Sequence, residues 1–290
     1  MGELIHIAAL QMRSGTQPEA NLLALERLVA EAAGQGAAYV LSPEVTVAFA
    51  ENREGLARVA GPFENNPAIA RVSRMARDHR VTLHLGSLAV ALDDGRFANR
   101  SVVFGPDGAI LATYDKIHLF DATIAGLRDY RESATYRGGD TAVVTPVAGF
   151  NLGMSICYDV RFPALYNALA NAGAQVLAVP AAFTVPTGQA HWETLLRARA
   201  IETGSYVIAA AQGGVHENGR ATYGHSMIID PWGKVIAQID GDEPGCLFAS
   251  IDLGLVSEAR QRVPALDNAR QFSLSVREQS PVQGLEGTNA

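Results

Sequence analysis

The sequence predicts an α/β fold with four layers, an α-β-β-α sandwich that contains two mixed sheets. Strand patterns alternate with helix patterns in both halves of the 290-residue chain. Hairpin turn signals separate several strands, and no linker-like composition divides the halves. Alternating strands and helices favour parallel strands covered by helices, and hairpins add antiparallel neighbours. We therefore expect one folded domain over residues 1–262.

The first half begins with a β-α-β unit. Residues 4–11 form an apolar run typical of a strand, and apolar residues at helical spacing follow from Pro18 to about residue 34. A second short strand is predicted over residues 37–41. Thr16 and Glu19 have the spacing of a helix capping box. A unit of this length predicts that both strands lie in one sheet.

A helix, an antiparallel meander and a long connection follow. The helix is predicted over residues 67–78, and the strands over 81–90, 97–104 and 110–114. Turn signals at residues 93–95 and 105–108 bracket the second of these strands. Residues 121–140 are polar and contain glycines, which predicts an irregular connection. Such connections often carry functional residues.

The second half repeats the alternation of strands and helices. Strands are predicted over residues 142–147, 151–156, 175–180, 206–211, 225–231, 234–239 and 245–251. Helices are predicted over residues 163–173, 191–202 and 256–262. The pattern is weak from Val263 onward, so we expect residues 263–290 to be a C-terminal tail or an oligomerisation arm.

Composition excludes several classes of function. The net charge is −7, with 48% hydrophobic and 18% charged residues. The chain has no basic run, so it predicts no nucleic-acid partner. No apolar run reaches the roughly 18 residues that cross a membrane, and no signal-peptide pattern is present. Cys157 and Cys246 are too few for a disulfide framework, so we expect a soluble, cytoplasmic protein without a membrane partner.

Cys157 is the first candidate catalytic residue. It lies where the predicted strand 151–156 ends, shortly before a predicted helix that begins at Pro163. The free N–H groups and the dipole at a helix start lower the pKa of a thiol, which favours a nucleophile. The alternative is that Cys157 is a small buried apolar residue, as most free cysteines are.

Three charged residues have positions that suit a partner for such a thiol. Glu44 follows a strand, Lys116 ends the meander, and Glu132 lies in the long connection. Each alone is typical of a solvated charge. Together they supply a base for the thiol and a positive donor for a developing oxyanion.

Several stretches resemble the nitrilase (carbon–nitrogen hydrolase) superfamily. The three signature stretches are Pro43-Glu44, Tyr114–Phe120 and Gly153–Pro163, and Glu132 is similar to the second glutamate of that family. Residues 191–202 and 223–233 resemble the branch that contains ω-amidases and deaminated-glutathione amidases. The resemblance implies the α-β-β-α fold and a homodimer or higher homo-oligomer.

The resemblance also implies a reaction that needs no cofactor and no metal. Cys157 attacks the carbonyl of a small carboxamide, and Glu44 transfers the protons. Lys116 and the backbone N–H of Tyr158 stabilise the oxyanion, and Glu132 orients Lys116 or the amide. A thioester on Cys157 is then hydrolysed to the carboxylate.

Substrate recognition is predicted from the same resemblance. Substrates of the branch carry a carboxylate near the amide, so Arg161, Phe183 and Arg128 are candidate binding residues. The alternative for Arg161 is a structural ion pair with Asp159 or another buried acid.

The sequence is also compatible with other functions. The same Glu–Lys–Cys site suits nitrile or N-carbamoyl amino acid hydrolysis. A thiol enzyme would instead use His118 or His191 as its base, and a non-catalytic member of the fold would only bind a ligand.

Overall fold

A computed structural model of the protein describes residues 4–124 and 129–276. The strands are β1 (Ile5–Gln11), β2 (Tyr39–Leu41), β3 (Thr82–Ala91), β4 (Phe97–Phe104), β5 (Ile110–Asp115), β6 (Asp121–Ala122), β7 (Tyr130–Arg131), β8 (Val144–Val147), β9 (Phe150–Met154), β10 (Val176–Ala178), β11 (Tyr206–Ala209), β12 (Gly213–Val215), β13 (Ala221–Tyr223), β14 (Met227–Ile229), β15 (Val235–Gln238) and β16 (Gly245–Ile251). The helices are α1 (Pro18–Gly34), α2 (Arg53–Val59), α3 (Pro67–His79), α4 (Pro163–Asn171), α5 (Val185–Thr203) and α6 (Gly254–Arg262).

Two six-stranded mixed sheets form the centre of the fold. The first has the strand order β16-β1-β2-β3-β4-β5, and the second has the order β15-β14-β11-β10-β9-β8. In the first sheet β1, β2 and β3 are parallel, and the neighbouring strands are antiparallel. The predicted β-α-β unit and meander are confirmed.

Side-chain alternation along β1 shows how the layers pack. Ala8 and Leu10 belong to an apolar cluster with α1 and α3. Ile7 and Ala9 belong to a second cluster, which joins the two sheets and includes buried residues of α4 and α5. Successive side chains of a strand point to opposite faces of the sheet, so this sheet is covered on both faces. The predicted α-β-β-α order is confirmed.

The structure changes some local predictions. Thr16 does not cap α1; the helix begins after Gln17 without a side-chain cap, and the hydroxyl of Thr16 donates to Glu217 Oε2 at 2.8 Å. A contact with a distant residue therefore replaces the local capping box. Helix α5 begins at Val185, six residues before the predicted start. The connection 121–140 contains the β6–β7 ribbon and a 3₁₀ turn over Glu132–Ala134.

No helix in the described part of the chain is long and apolar enough to cross a membrane. Arg128 lies outside the described residues, within the gap 125–128.

Gly86 allows the segment after β2 to pack closely on β3. A Cβ atom on Gly86 would lie 2.1 Å from the carbonyl oxygen of Ser42 and 2.3 Å from that of Pro43. The pairing register of β3 with β4 shifts between Leu85 and Leu88, which marks an irregularity at this point. The absence of a side chain at Gly86 therefore determines where Pro43 and the following Glu44 can lie.

We expect Gly86→Ala to lower the free energy of unfolding by about 1–3 kcal/mol or more, because the new methyl group overlaps backbone atoms that cannot rotate away. Chemical denaturation of the purified variant measures this loss. Gly34→Ala is the matched control. Its Cβ would meet nothing within 4 Å at the end of α1, so we expect stability to stay equal or rise by up to about 1 kcal/mol. Equal stability of the two variants would contradict the prediction.

Candidate active site

Four of the predicted site residues meet at one cavity of about 360 Å³. Glu44 lies three residues after β2, Lys116 directly follows β5, and Cys157 lies three residues after β9. Glu132 comes from the 3₁₀ turn of the long connection. The two sheets thus bring together residues that are far apart in the sequence.

Lys116 is at the centre of this group. Its side chain is only 2% exposed, and its Nζ donates to Glu44 Oε1 at 2.9 Å. It also donates to Glu132, at 2.9 Å to Oε2 and 3.1 Å to Oε1. Burial lowers the pKa of Lys116, but the charges of Glu132 and Glu44 outweigh burial and hold that pKa well above its ordinary value. Lys116 is therefore a charged, buried ammonium that is held between two carboxylates.

Glu44 accepts hydrogen bonds on both carboxylate oxygens. Besides Lys116, Oε1 accepts from Asn99 Nδ2 at 2.9 Å, and Oε2 accepts from the backbone N–H of Ala182 at 3.0 Å. The backbone carbonyl of Glu44 accepts from Gln212 Nε2 at 2.9 Å. These contacts fix the carboxylate in the cavity that it shares with Cys157.

Cys157 has a left-handed backbone conformation, with φ of 49°. This region is unfavourable for a residue with a side chain and occurs often at functional sites. The backbone N–H of Cys157 donates to Pro180 O at 2.8 Å, which anchors the turn to the neighbouring strand end. The side chain is buried but reaches the cavity.

The expectation that a helix start lowers the pKa of Cys157 is wrong. Burial and the charge of Glu44 raise that pKa well above its usual range, and Lys116 and a backbone N–H of Ala182 oppose them only in part. Cys157 begins a 3₁₀ turn that ends at Arg161, and the α-helix starts only at Pro163. A single turn provides little dipole, so burial of the thiol and, after it, the charge of Glu44 determine the direction of the shift.

Asp159 joins the turn Cys157–Arg161 (the nucleophile turn) to residues 114–118 (the lysine segment). It is fully buried and accepts from Tyr114 Oη at 2.7 Å and from the backbone N–H of Ile156 at 2.8 Å. It also binds the backbone N–H of His118 at 3.0 Å and the ring Nδ1 at 2.7 Å. Tyr114 and His118, which lie two positions before and after Lys116, are thus connected through Asp159 to the turn that contains Cys157.

Arg161 does not pair with Asp159, so that interpretation of Arg161 is wrong. Its Nη1 donates to His191 Nδ1 at 3.2 Å. Its guanidinium carbon lies 5.4 Å from the centre of the Phe183 ring and 5.9 Å from that of Tyr158. Asp159 lies in the same turn, but its oxygens are occupied by the three residues named above. Arg161, Phe183 and Tyr158 all line the cavity.

The structure also shows where Tyr158 and the two candidate histidines lie. Tyr158 directly follows Cys157 in the turn, and its ring packs on Phe120 with centroids 5.0 Å apart. His118 stacks on Phe162 at 3.6 Å between ring centres. Neither His118 nor His191 is among the described residues that line the cavity. A histidine partner for Cys157 is therefore not supported, and the carboxylate of Glu44 takes that position.

Asn99 is a cavity residue that the sequence analysis missed. Its Nδ2 donates to Glu44 and also to Glu132 Oε1 at 3.4 Å, and the residue is only 3% exposed. Its Oδ1 is buried without a hydrogen-bond partner among the described residues. The sequence offered one signal for it: a polar residue within the largely apolar strand β4, which pairs with β5 next to Lys116.

No three His, Cys, Asp or Glu side chains of residues 4–124 and 129–276 are grouped in a way that could hold a metal ion.

Replacing Glu44 tests what determines the protonation of the thiol. We expect Glu44→Gln to lower the pKa of Cys157, because it removes the negative charge and leaves Lys116 in place. Below the pKa, each unit of decrease raises the thiolate fraction about tenfold. The rate of iodoacetamide alkylation against pH measures this shift, in a Cys246→Ala background that leaves one thiol.

Lys116→Met is the control variant, which is expected to shift the pKa of Cys157 in the opposite direction. It removes the positive charge, so we expect the pKa of Cys157 to rise further. An unchanged or higher pKa in Glu44→Gln would show that another group keeps the thiol protonated.

The comparisons with known proteins agree with this geometry. Residues 6–261 match the family described as carbon-nitrogen hydrolase. The chain is 42% identical over 270 residues to the deaminated glutathione amidase of Synechocystis sp., covering 90% of this chain and 96% of that protein.

Two solved structures share the fold. The Caenorhabditis elegans NitFhit protein has a TM-score of 0.87 and 36% identity, and the match covers 98% of this chain and 69% of that one. A variant of the Nesterenkonia sp. AN1 amidase from the nitrilase superfamily carries the acetamide moiety of fluoroacetamide on its active-site cysteine. It has a TM-score of 0.77 and 26% identity, over 92% of this chain and 98% of that one. The chain belongs to the carbon–nitrogen hydrolase family.

Proposed function

We propose that the protein is an amidase that hydrolyses a small carboxamide through a thioester on Cys157. The observation that carries this proposal is the buried array of Glu44, Lys116 and Glu132 beside the thiol, in one cavity. A carboxylate, an ammonium and a thiol supply the base, the oxyanion donor and the nucleophile that the reaction requires.

The first half of the reaction forms the thioester. The thiol is protonated at neutral pH because its pKa is raised. Glu44 accepts this proton as Sγ attacks the amide carbonyl carbon. The resulting oxyanion accepts hydrogen bonds from Lys116 and from the backbone N–H of Tyr158. The C–N bond then breaks, and Glu44 returns the proton to the departing nitrogen.

The second half regenerates the enzyme. Glu44 removes a proton from water, which attacks the thioester carbonyl, and the same donors stabilise the second oxyanion. The C–S bond breaks, Cys157 recovers its proton, and a carboxylate product leaves. Every group needed for these transfers comes from the chain and from water, so the proposed reaction requires no cofactor.

Glu132 acts in this scheme as a positioning residue for Lys116. One of its oxygens also accepts from the backbone N–H of Phe120 at 2.6 Å, and its own N–H donates to Phe120 O at 3.3 Å. The same carboxylate therefore orients the ammonium and anchors the connection that forms part of the cavity wall.

We propose a substrate like that of the deaminated glutathione amidases, since the relative from Synechocystis sp. carries this name. Such a substrate has a carboxylate near the amide, and Arg161 supplies a cation in the turn that follows Cys157. Phe183 packs against the acyl chain. Arg128 stays a candidate for the same role.

The activity test has three competing outcomes: hydrolysis of nitriles, hydrolysis of N-carbamoyl amino acids, and ligand binding without catalysis.

The activity test uses the purified protein and a panel of compounds. We expect amine or ammonia release from deaminated glutathione and α-ketoglutaramate, and less from aliphatic amides, N-carbamoyl amino acids and nitriles. Cys157→Ala is expected to abolish turnover, and Lys116→Met to lower it about 10²–10³-fold through loss of an oxyanion donor. Cys246→Ala is the control and retains activity.

Two results would reject this function. One is the absence of release from every amide in the panel. The other is full activity of Glu44→Gln together with loss of activity in His191→Ala, which would assign the base to histidine.

The domain boundary and the assembly are proposed together. We propose a catalytic domain over residues 1–262 and an arm over 263–290 that packs on a second copy in a homodimer or larger oligomer, in the reducing cytoplasm. Residues 277–290 of this arm lie outside the described residues. In support, Phe272, Leu274 and Val276 are at least 80% exposed, and their apolar surface has no cover within the described chain.

Light scattering of the full chain and of a variant that ends after Arg262 measures this contribution. We expect the full chain to be at least dimeric and the shortened variant to have a smaller mass. A monomeric full chain would contradict the oligomer, and equal masses would contradict the role of the arm.

A further inference from the structure

The turn between β12 and β13 carries an arginine that lines the active-site cavity. Arg220 lines it together with Phe49 and Thr222. Its guanidinium carbon lies 5.1 Å from the centre of the Phe49 ring, a cation–π arrangement. Phe49 follows Glu44 by five residues, so this guanidinium belongs to the wall formed by the segment after Glu44.

Hydrogen bonds fix the hairpin against that segment. Asn218 Nδ2 donates to Phe49 O at 2.8 Å, and Asn218 Oδ1 accepts from the backbone N–H of Arg220 at 3.0 Å. The backbone N–H of His216 donates to Arg220 O at 2.8 Å. The buried His216 ring also contacts Thr222 Oγ1 at 2.6 Å. A guanidinium on such a support loses little freedom when it binds a ligand.

The cavity wall has an excess of positive charge. Among the described lining residues, five cationic side chains face four carboxylates. This excess occurs in a chain whose net charge is −7. Lys116 is bound by Glu44 and Glu132 at the reacting centre. Apart from these three residues, four arginines face two carboxylates in the described wall, which suits a substrate with more than one negative group.

Arg161 and Arg220 come from different elements of the wall. Arg161 lies in the turn that begins with Cys157, so it is near the acyl group that remains on the thiol as a thioester. Arg220 rests on the segment that follows Glu44, the residue that returns a proton to the departing amine. The two cations thus lie on different parts of the wall, one in the turn with Cys157 and one on the segment after Glu44.

We propose that Arg220 binds a carboxylate on the leaving amine, while Arg161 binds the carboxylate of the acyl part. The preferred substrate is then an N-substituted amide with an anionic group on each side of the scissile C–N bond. This inference rests on the proposed amidase function and specifies its substrate class. Deaminated glutathione is such an amide, because its leaving dipeptide ends in a carboxylate. α-Ketoglutaramate releases only ammonia and offers nothing to Arg220.

The charge of Arg220 acts inside the cavity. The positive charge of Arg220 acts on the hydroxyl of Tyr136, another cavity residue, and opposes the rise in its pKa that burial, Glu132 and Glu44 cause. An arginine also matches a carboxylate with two parallel hydrogen bonds, which a lysine cannot form.

Three substrates and three variants test the assignment. The substrates are deaminated glutathione, its C-terminal carboxamide and α-ketoglutaramate. We expect the wild type to favour the free carboxylate over the carboxamide by about 10–100-fold in kcat/KM, mainly through KM. Arg220→Gln removes this preference and affects α-ketoglutaramate far less. Arg161→Gln lowers kcat/KM for all three substrates. Arg58→Gln, an exposed arginine of α2, is the matched control.

Arg220→Lys separates charge from geometry and is expected to recover only part of the preference. If Arg220→Gln keeps the preference, or lowers kcat/KM equally for all three substrates, the assignment is wrong and Arg220 has a structural role. Either result with hydrolysis intact leaves the amidase function standing. Absence of hydrolysis of every amide by the wild type rejects the amidase function itself.

Discussion

The buried ammonium of Lys116 is the interaction on which the site depends. It binds two carboxylates that come from the segment after β2 and from a 3₁₀ turn of the long connection. Removing one member of such a buried group leaves the others with uncompensated charge, which typically costs about 3–5 kcal/mol. The position of Glu44, the path of the connection and the protonation of Cys157 therefore depend on one another. The proposed catalytic array is also a structural element that joins three parts of the chain.

The two sheets supply the rigid frame for this array. Residues just after three strand ends reach one cavity, and Asp159 connects the lysine segment with the nucleophile turn through buried hydrogen bonds. Val45 and Cys157 both have positive φ angles, 53° and 49°, next to or at the reacting groups. Such conformations persist only where the surrounding contacts hold them. The strain is located where the chain must turn sharply to present a side chain to the cavity.

Local patterns in the sequence predicted the order of strands and helices, because apolar periodicity reflects which face of an element is buried. The resemblance predicted the charged residues that meet. Neither the local patterns nor the resemblance predicted the role of Asn99 or the direction of the pKa shift of Cys157. Asn99 contacts Glu44 across 55 positions of sequence, and the thiol shift arises from burial against that same carboxylate. The predicted ion pair of Arg161 with Asp159 was wrong because the actual partner is also distant in the sequence. Arg161 binds His191, 30 positions away, and not the acid in its own turn.

The raised pKa of Cys157 has a consequence for the chemical durability of the protein. Peroxides and disulfides react with the thiolate form of cysteine, and a buried protonated thiol is nearly inert toward them. In the proposed mechanism Glu44 takes the thiol proton only as the sulfur attacks, so Cys157 is a protonated thiol between turnovers. An oxidant would therefore encounter this cysteine in its least reactive state, in contrast to enzymes that keep a resting thiolate.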